Sequence, residues 1–297
     1  MSENPLEYYS KHSVMSDPGV MAELYSALPT DIARLCRIIQ GLMIHVFWAE
    51  RYGVKIPDNR YEELQYRSVK QKLNRIMEID SRPLTEARAP ETRLVGNCRD
   101  FTMMLTSMLR HRGVPARARC GFGRYFMPDK YVDHWVCEYW NAEGKHWILV
   151  DAQLDELQKD KLGIQFNTLD VPRDQFIVGG KAWKLCRSGQ ADPDKFGIFD
   201  MHGLWFVRGD LVRDVASLNK MELLPWDSWG LADKQENTLT NDDMQLLDRA
   251  ALLIECDVPN FAGLRQLYVN HDRLKAQNII KSYTQQGVFQ IDLSEIV

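Results

Sequence analysis

The chain has 297 residues, with 37 Lys and Arg against 41 Asp and Glu, a net charge of −4 at pH 7. Its 45% hydrophobic and 26% charged residues describe an ordinary folded protein long enough to bury a full core. The mild acidity gives no support to a nucleic-acid or acidic-membrane partner. The most apolar run, "GLMIHVFWA", is too short to span a bilayer, and the opening "MSENPLEYYSKHS" lacks the apolar core of a signal peptide, so a cytoplasmic protein without a membrane partner is expected.

In chain order, residues 1–14 are polar and expected to be loose. "DPGVMAELYSALP" and "TDIARLCRIIQGLMIHVFWAERYG" read as helices, the second capped by Thr30 and stopped by Gly53, and a third candidate runs from Asn59 to Glu78. A charged, Pro-containing stretch, "SRPLTEARAPETR", follows as a linker or as a loop along a cleft. Next comes "LVGNCRDFTMMLTSMLRHRG", in which Phe101, Met104, Leu105, Met108 and Leu109 recur at helical spacing before Gly113. Cys98 is thereby placed in the first turn of a helix. Unpaired N–H groups and the positive end of the helix dipole favour an anion there, and a thiolate is one.

Beyond Gly113 the period shortens. "VPARARCGF" reads as a strand, "GRYFMPDKY" as a loop, and "DHWVCEYW" and "HWILVD" as two strands around the turn "NAEG". A helix followed by strands joined through short turns makes an α+β arrangement. "RDQFIVGGKAWKLCRSG" reads as a helix ending near Gly189, and "GLWFVRG" as a strand or loop. "DLVRDVASLNKME", "NDDMQLLDRAALLIEC" and "NFAGLRQLYVN" read as helices. Three regions are expected: a helical region 1–80, a core 81–185, and a mostly helical extension 186–297 packed on it.

A hairpin loop of Asn141 to Gly144 pairs Trp140 with Lys145 and sets His134 opposite Asp151, on one face of the sheet. That spacing is close enough for the carboxylate to accept a hydrogen bond from the imidazole. A cysteine at a helix start, a histidine and a carboxylate are the parts thiol catalysis needs: nucleophile, base and orienter. The Cys98 N–H is a candidate oxyanion donor, with Trp48 and Gln65 as weak candidates for a second.

The neighbouring residues have plainer readings. Arg99 reads as solvated, Asp100 as satisfying first-turn N–H groups, and Cys120 and Cys137 as core thiols. Trp135 reads as core, His111 and His146 as surface or helix-end residues, and Trp226 and Trp229 as packing of the C-terminal part. The cysteines Cys36, Cys98, Cys120, Cys137, Cys186 and Cys256 contain no CxxC pair, and they read as reduced thiols. Cys98, His134 and Cys137 match no common zinc spacing.

"GNCRDF", "GVPARARCGF", "DHWVCEYW" and "HWILVDAQLD" together resemble the transglutaminase-like superfamily, whose core is related to papain-like cysteine peptidases. The resemblance covers about residues 80–155. It implies a papain-like, transglutaminase-type core with Cys98, His134 and Asp151 as the catalytic triad, acting through a thioester on an amide or peptide bond. The flanks "LDVPRDQF", "GLWFVRGDLVR" and "LNKMELLPWDSWG" resemble bacterial transglutaminase-domain proteins of uncharacterised substrate. The substrate is expected to be a peptide, a protein or a small amide, with hydrolysis favoured over transamidation. The resemblance implies no metal and no organic cofactor, and no acidic loop has calcium-ligand spacing. The alternative is a catalytically silent protein that keeps the fold for binding. The oligomeric state is not legible.

Overall fold

The computed structural model describes residues 4–256, 260–284 and 286–296. The fold is α+β, and the chain divides into two compact units. One unit comprises Leu6–Ala118 and Val136–Val171. The other comprises Met1–Pro5, Arg119–Trp135 and Pro172–Val297.

The first unit begins with α1 (Pro5–Ser10), a short helix within the stretch expected to be loose; residues 1–3 of that stretch lie outside the described residues. "GVMAELY" winds as a 3-10 turn. Helix α2 (Ile32–Leu42) is shorter than predicted: Asp31, not Thr30, caps it by accepting from the Arg34 N–H at 2.8 Å. The chain leaves the helix at Met43 because "MIHVF" brings β-branched and aromatic side chains that suit an extended backbone. It forms strand β1 (Met43–His45), parallel to β2 (Leu94–Gly96). Gly53 ends a separate 3-10 turn in the left-handed region, at φ +77°.

The third predicted helix also divides. Residues Asp58–Gln65 form a 3-10 turn, and α3 (Val69–Ile79) starts afresh under a Ser68–Gln71 capping box. Helix α4 (Cys98–His111) matches its expected position and follows directly on β2 and its cap, Asn97. It is buried on all sides from Cys98 to Arg110, not on one apolar face alone. Its polar residues are accordingly partnered: Thr106 Oγ1 donates to the Thr102 carbonyl at 2.8 Å, Ser107 meets the Tyr25 hydroxyl at 3.0 Å, and Arg110 donates to the Ala116 carbonyl at 2.9 Å.

Strands β3 (Ala116–Gly123), β4 (Tyr131–Asn141) and β5 (His146–Val150) follow as predicted, but the hairpin register differs. Asn141 pairs with His146, Trp140 with Trp147 and Cys137 with Val150. The turn begins one residue later than expected because the Asn141 side chain caps it, accepting from the N–H groups of Glu143 at 3.0 Å and Gly144 at 3.1 Å. Each pair moves by two positions, and a shift of two preserves the face of every side chain. The predicted register, which set His134 opposite Asp151, is thus corrected by two positions over the paired residues Cys137–Asn141 and His146–Val150. Helix α5 (Glu156–Leu162) closes this unit.

In the second unit, the predicted helix at 173–189 opens instead with β6 (Phe176–Val178) and becomes α6 (Gly179–Arg187). Strands β7 (Phe196–Ile198) and β8 (Met201–His202) complete a sheet of order β6-β3-β4-β7-β8, with β5 beside β4. "GLWFVRG" is neither strand nor loop. It opens α7 (Leu204–Leu218), which runs unbroken through Gly209, where a Cβ would lie 2.8 Å from Nη1 of Arg213. The helix is buried on most sides, so its sequence lacks the polar stripe that marks a surface helix. A short strand, β9 (Asp227–Ser228), precedes α8 (Gly230–Asp233), α9 (Asn241–Ile254) and α10 (Phe261–Asn270). The C-terminal hairpin β10 (Ile279–Thr284) and β11 (Gly287–Asp292) was not anticipated by the sequence patterning. No helix among the described residues is long and apolar enough to cross a membrane.

Candidate active site

Cys98 and Asp151 belong to the first unit, and His134 belongs to the second. Cys98 takes the first helical position of α4 and is buried. The turn that holds it is a reciprocal capping box: the Asn97 side chain accepts from the Asp100 N–H at 3.3 Å, while Asp100 Oδ2 accepts from the Asn97 N–H at 3.0 Å. Asp100 therefore does what the sequence suggested, and more. Its Oδ1 faces Lys72 Nζ at 3.1 Å and Arg99 Nη1 at 3.2 Å.

Arg99 is not solvated. It is 0% exposed, and its Nη2 donates to the Arg67 carbonyl at 2.7 Å, as a buried guanidinium must find acceptors to offset its lost hydration. Lys72, which also bonds the Tyr66 carbonyl, is equally buried; burial lowers its pKa from 10.5 to about 8, with Asp100 opposing the shift. A lysine lowered in the folded state penalises folding fully below about pH 8. The penalty fades toward pH 10.5, because across that window the unfolded chain holds a proton that the folded chain has released. Wild-type protein is therefore expected to gain stability from pH 8 to 10.5 relative to Lys72→Met. Urea midpoints at both ends of the window test this, and parallel profiles would contradict it.

Asp151 follows the last residue of β5. Its N–H donates to the Thr168 carbonyl at 2.9 Å, and its Oδ1 accepts from the Gln153 N–H at 3.1 Å. Gln153 continues to Gln158 at 3.0 Å and Gln158 to the Tyr52 hydroxyl at 3.1 Å, while Gln40 of α2 holds the Ala152 carbonyl at 3.1 Å. The carboxylate thus sits on a buried segment fixed from several sides.

His134 lies in β4, and its ring is boxed by aromatic side chains: Phe126 at 4.7 Å, Tyr125 at 5.9 Å and Phe176 at 6.3 Å between centroids, all edge-on. Tyr125 and Phe126 come from the connection after β3, and neither was singled out from sequence. A Cβ on Gly123 would lie 2.8 Å from the Phe126 ring, so the glycine makes room for the pair. The "YF" dipeptide in a short loop ahead of the histidine strand was the available signal.

The remaining candidates fall where packing puts them. Trp48 is buried beneath the Arg51 guanidinium, 4.6 Å from its ring centroid, and Gln65 ends a 3-10 turn. Trp135 is core, Cys137 accepts a hydrogen bond from Thr106 at 3.4 Å, and Trp229 donates to the Leu274 carbonyl at 2.9 Å. His111 ends α4 exposed, and His146 is exposed at the start of β5. None of the six cysteines is in a disulfide.

Residues 54–152 match the family model of the transglutaminase-like superfamily, a segment that contains Cys98, His134 and Asp151. That segment, about a third of the chain, is similar to the transglutaminase-like core. A solved structure of a proposed cysteine protease from Cytophaga hutchinsonii is similar over 60% of this chain and 46% of its own length, at 14% identity and a TM-score of 0.34. The chain thus spans less than half of that protein. No curated protein matches it. Within the matched segment, β2, the Asn97 cap and α4 form a strand-to-helix junction that places Cys98 at the positive end of the helix.

Proposed function

We propose that the protein is a cysteine-dependent acyl-transfer enzyme acting on an amide or peptide bond, with Cys98 as nucleophile, His134 as general base and acid, and Asp151 as the group that orients the imidazole. The observation that carries this reading is the placement of Cys98 at the capped first position of α4, inside the segment that matches the transglutaminase-like superfamily. In the first half-reaction the Cys98 sulfur, its proton passed to His134, attacks the carbonyl carbon and pushes an electron pair onto oxygen. Collapse of this intermediate breaks the C–N bond. The amine leaves with the proton from His134, and the acyl group remains as a thioester. Water then gives up a proton to His134 and attacks the thioester, releasing the carboxylic acid and returning the thiol. An amine in place of that water gives transamidation. The substrate class is a peptide, a protein or a small amide.

The test is the pH dependence of iodoacetamide labelling at Cys98, read by mass spectrometry on native protein. Labelling that stays fast below the ordinary thiol pKa of ~8.5 and slows in His134→Ala is the expected result. Slow labelling unaffected by that substitution would overturn the triad and favour a silent binding protein on the same fold.

A further inference from the structure

A second cluster of reactive side chains lies within the unit that holds His134, on β3, β4 and α7. The Cys120 sulfur, a carboxylate oxygen of Asp133 and a carboxylate oxygen of Asp210 all lie within 4.8 Å of one another. Cys120 is 0% and Asp210 1% exposed. Two oxygens in this cluster, Asp133 Oδ1 and Asp210 Oδ2, are buried without a hydrogen-bond partner. A buried carboxylate oxygen so placed carries a large desolvation cost, and in a folded protein such an atom calls for an explanation.

The surrounding charges narrow that explanation. One turn along α7 from Asp210, Asp214 is satisfied: Arg119 holds it through Nε and Nη2, both at 2.9 Å, and the Cys120 N–H donates to it at 3.1 Å. Asp210 has Arg213 on Oδ1, at 2.9 Å, and the Cys120 thiol as a further side-chain partner. Three carboxylates, Asp133, Asp210 and Asp214, therefore stand beside two guanidiniums, Arg119 and Arg213, and one negative charge is left over. A proton shared between the carboxylates would balance the charge but give the sulfur no partner beyond the Asp210 carboxylate. A divalent cation with the thiol ionised balances it too, and gives both orphaned oxygens and the sulfur a partner.

We propose that Cys120, Asp133 and Asp210 bind a divalent transition-metal ion, and that zinc is the ion their donors suit. Thiolate with carboxylate oxygen is a donor set that zinc accepts in tetrahedral geometry, with the fourth position left to water. Calcium and magnesium take six or more oxygens and do not favour sulfur. The ion would tie β3, β4 and α7 together beside His134, the residue after Asp133, as a structural clamp. The site does not depend on the acyl-transfer reading, since none of its ligands belongs to the triad.

The full chain, freed of metal with a chelator, is titrated with Co²⁺ and then with competing Zn²⁺. The expected result is a near-ultraviolet thiolate-to-cobalt charge-transfer band that saturates stoichiometrically, is displaced by Zn²⁺, disappears in Cys120→Ser and persists in Cys98→Ala. No band in the wild type, a band that survives Cys120→Ser, or a band lost only in Cys98→Ala would overturn the proposal. Should Cys120→Ser fail to fold, Asp133→Asn decides: it keeps the thiolate but removes an oxygen ligand, and should weaken Zn²⁺ binding by more than the ~10–100-fold cost of losing an outer-shell partner. Unchanged Zn²⁺ affinity in that variant would overturn the site equally.

Discussion

Replacing Cys98 with alanine is expected to lower acyl transfer by about 10⁴-fold or more, the scale on which loss of a nucleophile acts when its partners work as a unit. With p-nitrophenyl acetate, wild-type protein should show a burst of p-nitrophenolate stoichiometric with the chain, as the acetyl group moves to the sulfur and the phenolate departs. Cys98→Ala should show no burst, and His134→Ala should keep the thiol but lose burst rate by about 10²–10⁴-fold. The other thiols provide the contrast that makes this sharp. Burial pushes Cys137 and Cys186 up to about 12 and raises Cys36 as well, so at neutral pH these three remain protonated and poorly nucleophilic. Cys256 is the exposed thiol among the described residues, and Cys256→Ser is the control for adventitious reaction. A full burst in Cys98→Ala that vanished in Cys256→Ser would place the chemistry on the surface thiol and end the triad reading.

What could be read from the sequence was what local periodicity encodes. Helix α4 announced itself through its apolar spacing and the Gly113 stop; the Asn97–Asp100 capping box that opens it emerged only from the structure. The strands around "NAEG" were legible by alternation, but their register was not, because Asn141 both pairs in the ladder and caps the turn. Only the opening of helix α7 was hidden, for the opposite reason, since "DLVRDVASLNKME" read as a helix. A helix buried nearly all round has no polar stripe, and the aromatic opening "LWFV" together with Gly209 imitates a strand that ends. At the candidate site, the residue types of Cys98, His134 and Asp151 were visible. The aromatic box around His134 and the burial of Lys72 and Arg99 against Asp100 were not. Arg99 looked like any first-turn arginine until the Arg67 carbonyl and Asp100 supplied its partners. Such contacts join residues far apart in the chain, and a single sequence carries no signal of them.

The largest stability effect is expected from such a contact. Arg119 on β3 and Asp214 on α7 are both 0% exposed and lie 95 residues apart, joined by two parallel hydrogen bonds of 2.9 Å. The guanidinium also donates to the Ile254 carbonyl at the end of α9, at 3.1 Å, so one side chain ties a strand to two helices. Asp214→Asn leaves a buried cation without its counter-charge and turns an acceptor oxygen into a donor facing other donors. The loss should be about 3–5 kcal/mol, the range for removing one member of a buried ion pair. Arg119→Met is expected to cost a similar amount, by stranding the carboxylate. The double variant Arg119→Met with Asp214→Leu should recover most of the loss, because the apolar pair requires no desolvation of charge. Urea unfolding of wild type, Arg119→Met, Asp214→Leu and the Arg119→Met, Asp214→Leu double variant forms a double-mutant cycle. Single variants within about 0.5 kcal/mol of wild type, the ordinary scale of a surface substitution, would show that the pair is not sealed from water. Losses that simply add in the double variant would show that the two side chains act separately.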